Sequence, residues 1–302
     1  MSERVALIVN PMSGRGAGRV LGAETRRLLL ASGREVVDAS GLTLAEASRC
    51  GAEAVREGVD ALVVVGGDGL VHLGVNLVAG TTTPLGVVAA GTGNDFARNL
   101  GLPVRDAAGA VDVITGGLVR TIDAGRATGP SGEPKWFGGV LGAGFDAVVT
   151  ARAGRMRWPK GQMRYNLAVL RELPVFKPIP YVVVLDGRRV ETSAMLVAVA
   201  NTSSFGGGMR VCPDADPCDG LFDVLIVRAI SVPRFLRVFP TVYSGAHVTH
   251  PAVEIQRAAR VRLEADHICS QADGEPFTEL PLDIEIVPHA LRVLAPRGDA
   301  QR

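Results

Sequence analysis

Hydrophobic positions follow two rhythms along this chain. In the first third, short unbroken apolar runs alternate with stretches whose apolar residues recur every three or four positions. Runs buried on both faces belong to parallel strands, and three-to-four spacing belongs to amphipathic helices. The pattern predicts strands at Val5–Val9, Glu35–Asp38, Ala61–Val65 and Pro84–Ala89. Between them it predicts helices over Gly18–Ala31, Leu44–Glu57 and Leu70–Ala79, the last from Leu70, Leu73 and Leu77 together with Val71, Val75 and Val78. Strand and helix in alternation imply a doubly wound α/β domain over residues 1–121. From about Thr121 strand-like runs dominate: "KWFGGVLGAGF", "YVVVLDGRRV", "SAMLVAVANT", "LFDVLIVRA" and "RVRLEAD". Asp186-Gly187 and Asp219-Gly220 are hairpin cues among them. Helix signals there reduce to Asn166–Leu173 and Pro233–Val242. A mostly antiparallel β domain is therefore expected over 122–289, with residues 290–302 returning to the first domain.

Composition narrows the class without naming it. The chain has 302 residues, 47% of them hydrophobic, and a formal net charge of +1. Near-neutrality removes any whole-molecule case for binding nucleic acid, so a basic surface would have to be local. The longest apolar run, Ala194–Ala200, falls far short of the ~18 residues of a spanning helix. Val5–Val9 is too short for the core of a signal peptide. Cys50, Cys212, Cys218 and Cys269 form no Cys-x-x-Cys pair, which suits reduced thiols in a cytoplasmic protein better than zinc.

Chemistry concentrates where strands end. Three glycine-rich stretches, "NPMSGRGAG", "GGDGL" and "AGTGND", each follow a predicted strand. In an open α/β sheet such loops gather on one edge, where ligands bind. Backbone N–H groups at a helix start favour an anion, and glycine lets a phosphate approach. Asp68 adds a carboxylate for a metal-bound water or a ribose hydroxyl, while Thr92 and Asn94 bring further polar groups. Asp95 is placed to act as the acid of a helix N-terminus. The first loop is neither a Walker loop nor a G-x-G-x-x-G dinucleotide site.

Further along, "CSQADGEPF" sets Asp273 and Glu275 about a glycine, either of them able to accept a proton from an attacking hydroxyl. Asp214, Asp216 and Asp219 crowd a turn, and oxygen-only ligands suit magnesium or calcium. Between Ala151 and Tyr165 five cations, Arg152 to Arg164, interleave with Met156, Trp158 and Met163 and lack any acid. That mixture suits transient contact with an inner membrane surface.

Taken in order, Asn10-Pro11 with Ser13-Gly14, then "GGDG", "GTGND" and "DGE" resemble the diacylglycerol kinase catalytic family and its soluble bacterial lipid kinases. Sphingosine and ceramide kinases are relatives, and NAD kinases and 6-phosphofructokinases share the Gly-Gly-Asp-Gly element. The resemblance implies a nucleotide-binding α/β domain of NAD kinase/phosphofructokinase type and a β-sandwich domain. It implies ATP and Mg2+ as cofactors and a diacylglycerol-like lipid as acceptor. By resemblance, ATP contacts fall on Asn10, Pro11, Met12, Ser13 and Gly14, and on Gly66, Gly67, Asp68, Gly69, Leu70, Val71 and His72. Gly91, Thr92, Gly93 and Asp95 follow. Asp273, Glu275 and Asp68 carry catalysis, and a structural magnesium takes the Asp219 side chain with the carbonyls of Asp216 and Leu221. Three positions depart from the pattern. Leu70 replaces a threonine, His72 replaces an asparagine, and a nucleotide-contacting threonine has only Ser40 or Thr43 as a counterpart. These departures leave open a regulator that binds nucleotide without catalysis, and a kinase acting on NAD is the other alternative. An exposed edge strand in the β half would offer a homodimer surface.

Overall fold

Strands β1 (Arg4–Val9), β2 (Glu35–Asp38), β3 (Ala61–Gly66) and β4 (Leu85–Ala89) lie parallel in the order β2–β1–β3–β4. They belong to a computed structural model that describes residues 3–145, 147–149, 152, 156, 158, 163, 167–168, 171–172 and 176–297. Every residue of β3 and β4 is buried, as expected of strands covered on both faces. Helices α1 (Ala17–Ala31) and α5 (Ala107–Gly116) pack together, as do α2 (Leu44–Arg56) and α3 (Asp68–Val78). Odd-numbered strand residues such as Val5, Leu7, Val63 and Val65 join Leu29, Val111 and Ile114 in one core layer. Thr43 starts α2 as its N-cap, its hydroxyl accepting the Glu46 N–H at 3.1 Å, a bond typically worth ~1 kcal/mol. Helix α3 begins two residues earlier than its apolar spacing indicates, so Asp68 lies in its first turn.

Contacts divide the chain into Met1–Ala124 with Pro288–Arg302, and Gly125–Val287. The second unit is an antiparallel β-sandwich. Its hub is β9 (Arg188–Ala200), which pairs along its first half with β8 (Ile179–Leu185). Its second half pairs with β7 (Val140–Gly144) on one side and β10 (Phe222–Arg228) on the other. Asp186 and Gly187 take positive φ of 47° and 88°, giving the two-residue β8–β9 hairpin its turn. Phe137, Tyr181, Val183, Phe222, Leu263 and Leu282 lie at the centre of its core. The last strand, Leu282–Ala295, pairs antiparallel with Arg260–Glu264 in this unit, and its end, at Val293, pairs with β4 in the first.

Several expectations change. Asp219-Gly220 makes a loop turn ahead of β10 rather than a two-residue hairpin, because it ends the long connection from Ala200 to Phe222, although β9 and β10 do pair antiparallel. The helix expected over Pro233–Val242 stops at Val238 and continues as a 3-10 turn through Tyr243, with Pro240 in its first positions. Of the helix expected over Asn166–Leu173 only Leu167, Ala168, Arg171 and Glu172 are described, all four helical, and most of the basic stretch Arg152–Arg164 lies outside the described residues. Of that stretch, Arg152 pairs with Glu172, and Trp158 and Met163 are 79% and 67% exposed. Among the described residues no helix is long and apolar enough to cross a membrane.

Candidate active site

The carboxyl ends of β1, β3 and β4 carry three loops, and their backbones touch. A Cβ added to Gly91 would lie 2.6 Å from the Gly67 Cα, and one on Gly14 would lie 2.0 Å from the Ala90 carbonyl oxygen. Side chains at these points would force the loops apart. Gly14 also takes a φ of 58°, which glycine adopts without strain. Gly66 and Gly67 need no unusual backbone: Gly66 ends β3, and Gly67 is extended, with φ −93° and ψ −171°. Space, rather than conformation, explains glycine there.

The first loop is held through Asn10. The Asn10 N–H donates to the Val65 carbonyl at 3.0 Å, and the Asn10 Oδ1 accepts the Met12 N–H at 3.0 Å. Pro11 and Met12 are exposed, and Ser13 and Gly14 form a short 3-10 turn. Ser40 lies beside this loop and accepts the Val9 N–H through its hydroxyl at 3.1 Å. A cavity of about 160 Å³ opens between Asn10, Pro11, Ser40, Thr43, Ala47 and Leu70. Leu70, standing in place of a hydroxyl, is buried under Gly66.

In the second loop, Asp68 lies in the first turn of α3, followed by Gly69, buried Leu70 and Val71, and half-buried His72. Its carboxylate accepts the backbone N–H of Asn94 at 2.7 Å and that of Phe96 at 3.4 Å. Thus an acid from 26 residues upstream caps α4 (Asp95–Asn99), and Asp95 is, as expected, the acid of that helix's own first turn. Asp95 also raises the pKa of Asp68, adding to the larger effect of burial, while the N–H donors pull it down. Asn94 at the N-cap folds back on Gly91, accepting its N–H at 2.8 Å and donating to its carbonyl at 3.0 Å. Arg105 donates to the same carbonyl at 3.0 Å. No motif marks Arg105; only the isolated bridge between Ala89 and Val104 brings it there. Thr92 remains exposed and Gly93 packs on the Asp68 carboxylate. Consecutive glycines, helix starts and a fixed acid thus face one strand edge, an arrangement able to hold a polyphosphate.

In the second unit, Asp273 and Gly274 form the two-residue turn between Cys269–Ala272 and Glu275–Glu279, with φ of 53° and 84°. Asp273 accepts three successive backbone N–H bonds, from Gly138 at 3.0 Å, Gly139 at 2.8 Å and Val140 at 3.2 Å. Glu275, two residues on, is exposed at the start of its strand. A carboxylate with three N–H donors is a structural clamp as well as an acid.

The acidic turn is partly self-contained. Asp216 accepts the Cys218 N–H and Asp219 accepts the Leu221 N–H, both at 3.0 Å. The other Asp219 oxygen pairs with Arg257. Burial pushes the pKa of Asp223 up, Arg257 pulls it down, and Asp219 and Asp214 push it up again. One guanidinium, that of Arg257, thus faces the charge of Asp219 and Asp223, with Asp214 near enough to Asp223 to act on it. This surplus of hard negative oxygen fits a magnesium-sized cation, although among the described residues no cluster of three or more acidic, His or Cys side chains is arranged as a metal site. Cys212 and Cys218 are not bridged.

Known proteins match this chain along its length. The model of the diacylglycerol kinase catalytic domain matches residues 4–127, and that of the YegS C-terminal NAD kinase beta sandwich-like domain matches residues 139–295. A diacylglycerol kinase of Mycobacterium tuberculosis (strain ATCC 25618 / H37Rv) is 43% identical over 295 residues, covering 97% of this chain and 96% of its own. The diacylglycerol kinase of Bacillus subtilis (strain 168) is 28% identical, with 99% of both chains covered. A solved chain from Bacillus anthracis str. Sterne superimposes with a TM-score of 0.79 at 25% identity, over 98% of each chain. An Archaeoglobus fulgidus NAD kinase solved in complex with ATP shares the fold alone, at 12% identity and a TM-score of 0.53, over 98% of this chain and 94% of its own.

Proposed function

Because the chain belongs to the diacylglycerol kinase catalytic family, we propose that it transfers the γ-phosphate of ATP to the hydroxyl of a diacylglycerol-like lipid. The observation that carries this reading is the contact of three glycine loops at one strand edge, with Asp68 tying the second to the third. Phosphates rest on the N–H groups of Gly14, Gly67–Gly69 and Thr92–Gly93. The cavity beside Ser40 and Leu70 takes the base or ribose. Asp68 acts by holding the GTGND loop in register, and Arg105 supports it from behind. Magnesium bound with the nucleotide would neutralise phosphate charge. A second ion would take the Asp219 side chain and the carbonyls of Asp216 and Leu221.

In transfer, the lipid hydroxyl oxygen bonds to the γ-phosphorus as the bond to the β–γ bridging oxygen breaks. The hydroxyl proton passes to a carboxylate, leaving a phosphatidic-acid-type product and ADP. Asp273 and Glu275 divide the labour in this account. Asp273, occupied by three backbone donors, fixes the turn, and Glu275 receives the proton. Such a base contributes typically ~10²–10⁴ in rate. Exposed Trp158 and Met163 would meet the lipid surface.

The test is incubation with γ-labelled ATP and, in parallel, a mixed lipid extract or NAD. Label in a phosphatidic-acid-type lipid supports the proposal. Label in NAD instead, or ATP binding with no transfer to any acceptor, overturns it.

A further inference from the structure

Two glycines, Gly138 and Gly139, join the strand Pro134–Phe137 to β7. They have no side chain to pack, and glycine has the widest backbone freedom, so main-chain hydrogen bonds must fix this connection. β7 runs between β9 and the strand Cys269–Ala272. The residue just past the end of each flanking strand, Asn201 on one side and Asp273 on the other, bonds to the glycines. Asp273 accepts the N–H groups of Gly138, Gly139 and Val140. The Asn201 side-chain amide donates to the Gly138 carbonyl at 2.9 Å, and its backbone N–H donates to the Gly139 carbonyl at 2.8 Å. The Asp273 backbone N–H donates to the Val140 carbonyl at 3.0 Å. Every main-chain N–H and carbonyl from Gly138 to Val140 is thus met, and Asn201 and Asp273 between them meet them all.

The two anchors are complementary in chemistry. A carboxylate only accepts, so the Asp273 side chain holds N–H groups and leaves the buried Gly138 carbonyl needing a donor. Asn201, 1% exposed, supplies that donor through Nδ2. Without it the carbonyl is a buried acceptor left unmet, which a fold avoids by moving. Movement of the glycines carries the Asp273 carboxylate with them. Glu275 follows Asp273 by two residues, across a turn in which Asp273 is held at a φ of 53°. We propose that Asn201 is a positioning residue for phosphoryl transfer: through Gly138 and Gly139 it sets the Asp273–Gly274 turn, and through that turn the carboxylate of Glu275. The part of Glu275 as proton acceptor rests on the lipid-kinase reading; the hold of Asn201 on the turn does not.

The test is a double-mutant cycle between Asn201→Asp and Glu275→Gln, read as kcat and KM with γ-labelled ATP and dioctanoylglycerol, beside hydrogen exchange of the same chains. Asn201→Asp keeps the side-chain shape and sets a second oxygen against the Gly138 carbonyl. Alone it should lower kcat roughly tenfold or more, as misplacement of a reacting group does, with KM for ATP changed little. It should also speed exchange of the Gly138, Gly139 and Val140 amides. Added to Glu275→Gln it should lower kcat by less than about twofold, because the group it positions is already gone. A native kcat in Asn201→Asp, a full further loss in the Glu275→Gln background, or unchanged exchange overturns the proposal. If the chain phosphorylates no lipid, exchange alone decides whether Asn201 holds the turn, so the two readings fail separately. Should Asn201→Asp fail to fold, Gly139→Ala takes its place, since its Cβ would lie 2.8 Å from the Asp273 Oδ1. Pushing that carboxylate aside should speed exchange of the Asn201 side-chain amide, and an unchanged rate there would contradict the shared anchorage.

Discussion

Asp68 and Asp273 do the same mechanical job in different units of the molecule, and the contrast between them separates architecture from chemistry. Each carboxylate holds backbone N–H groups from a distant segment: Asp68 the start of α4, Asp273 the run Gly138–Val140. Asp68 does so on a helix start, burdened by burial and by the nearby charge of Asp95. Asp273 does so from a left-handed position in a hairpin turn, with three donors converging on it. Both are acids beside glycine, and both read as catalytic in the linear sequence. In the folded chain each is first a clamp. Beside Asp273, Glu275 is the exposed acid at the start of the next strand, and the proposed mechanism gives it the proton.

The largest expected effect tests this division of labour. Glu275→Gln should lower the rate of transfer by ~10²–10⁴ with an unchanged melting temperature. Asp273→Ala should lose roughly 2–4 kcal/mol of stability, since three N–H groups lose their acceptor. Urea denaturation of both variants beside rate measurements would show it; a stable but inactive Asp273→Ala would reverse the assignment.

Next in size is the crowding of the glycine loops. Gly91→Ala should cost ~1–3 kcal/mol by overpacking and weaken ATP binding at least tenfold, because its Cβ meets Gly67 and Asn94. Gly116→Ala meets nothing within 4 Å and should be neutral, or stabilising by ~0.4–1 kcal/mol. Similar effects from the two would show that the loops do not touch as described.

Smaller still are two opposed pH dependences. The folded pKa of Asp68 is raised above its ordinary 3.8, so the folded state holds its proton longer. The stability it gives is present below the unfolded value and is lost as pH rises through the folded one. His247 is lowered from 6.5, so the unfolded chain takes up the proton first, and stability is lost as pH falls from 6.5 through the folded value. Comparing the native chain with Asp68→Asn and His247→Gln across pH 3–7 by urea denaturation should remove one slope in each case. Slopes of the opposite sign would contradict the environments described. The smallest effect concerns thiols: burial, with Asp223 nearby, raises the pKa of Cys212, so alkylation should reach exposed Cys269 and spare Cys212.

Much of the fold was legible because its determinants are local. The unbroken Leu62–Val65 run, the α3 leucine and valine spacing and the Asp186-Gly187 pair each specify their element within a few residues. The three loops were legible as a set because parallel strands put their carboxyl ends on one edge. What escaped was set by partners remote in sequence. Gly67 looks like a turn residue until Gly91 lies against it. The acid that caps α4 from outside sits 26 residues upstream. Arg105 and His247 carry no motif, and only the folded chain brings one to Gly91 and the other to an apolar wall. Asp219-Gly220 misled because the same dipeptide serves hairpins and loop turns alike.

Hydrogen exchange measured with and without ATP tests the central claim most directly, that a nucleotide's phosphates rest on the three glycine loops. Added ATP should slow exchange together in segments spanning Asn10–Gly16, Gly66–His72 and Gly91–Phe96. Demonstrated ATP binding that leaves those segments unchanged and protects other parts of the chain would contradict it.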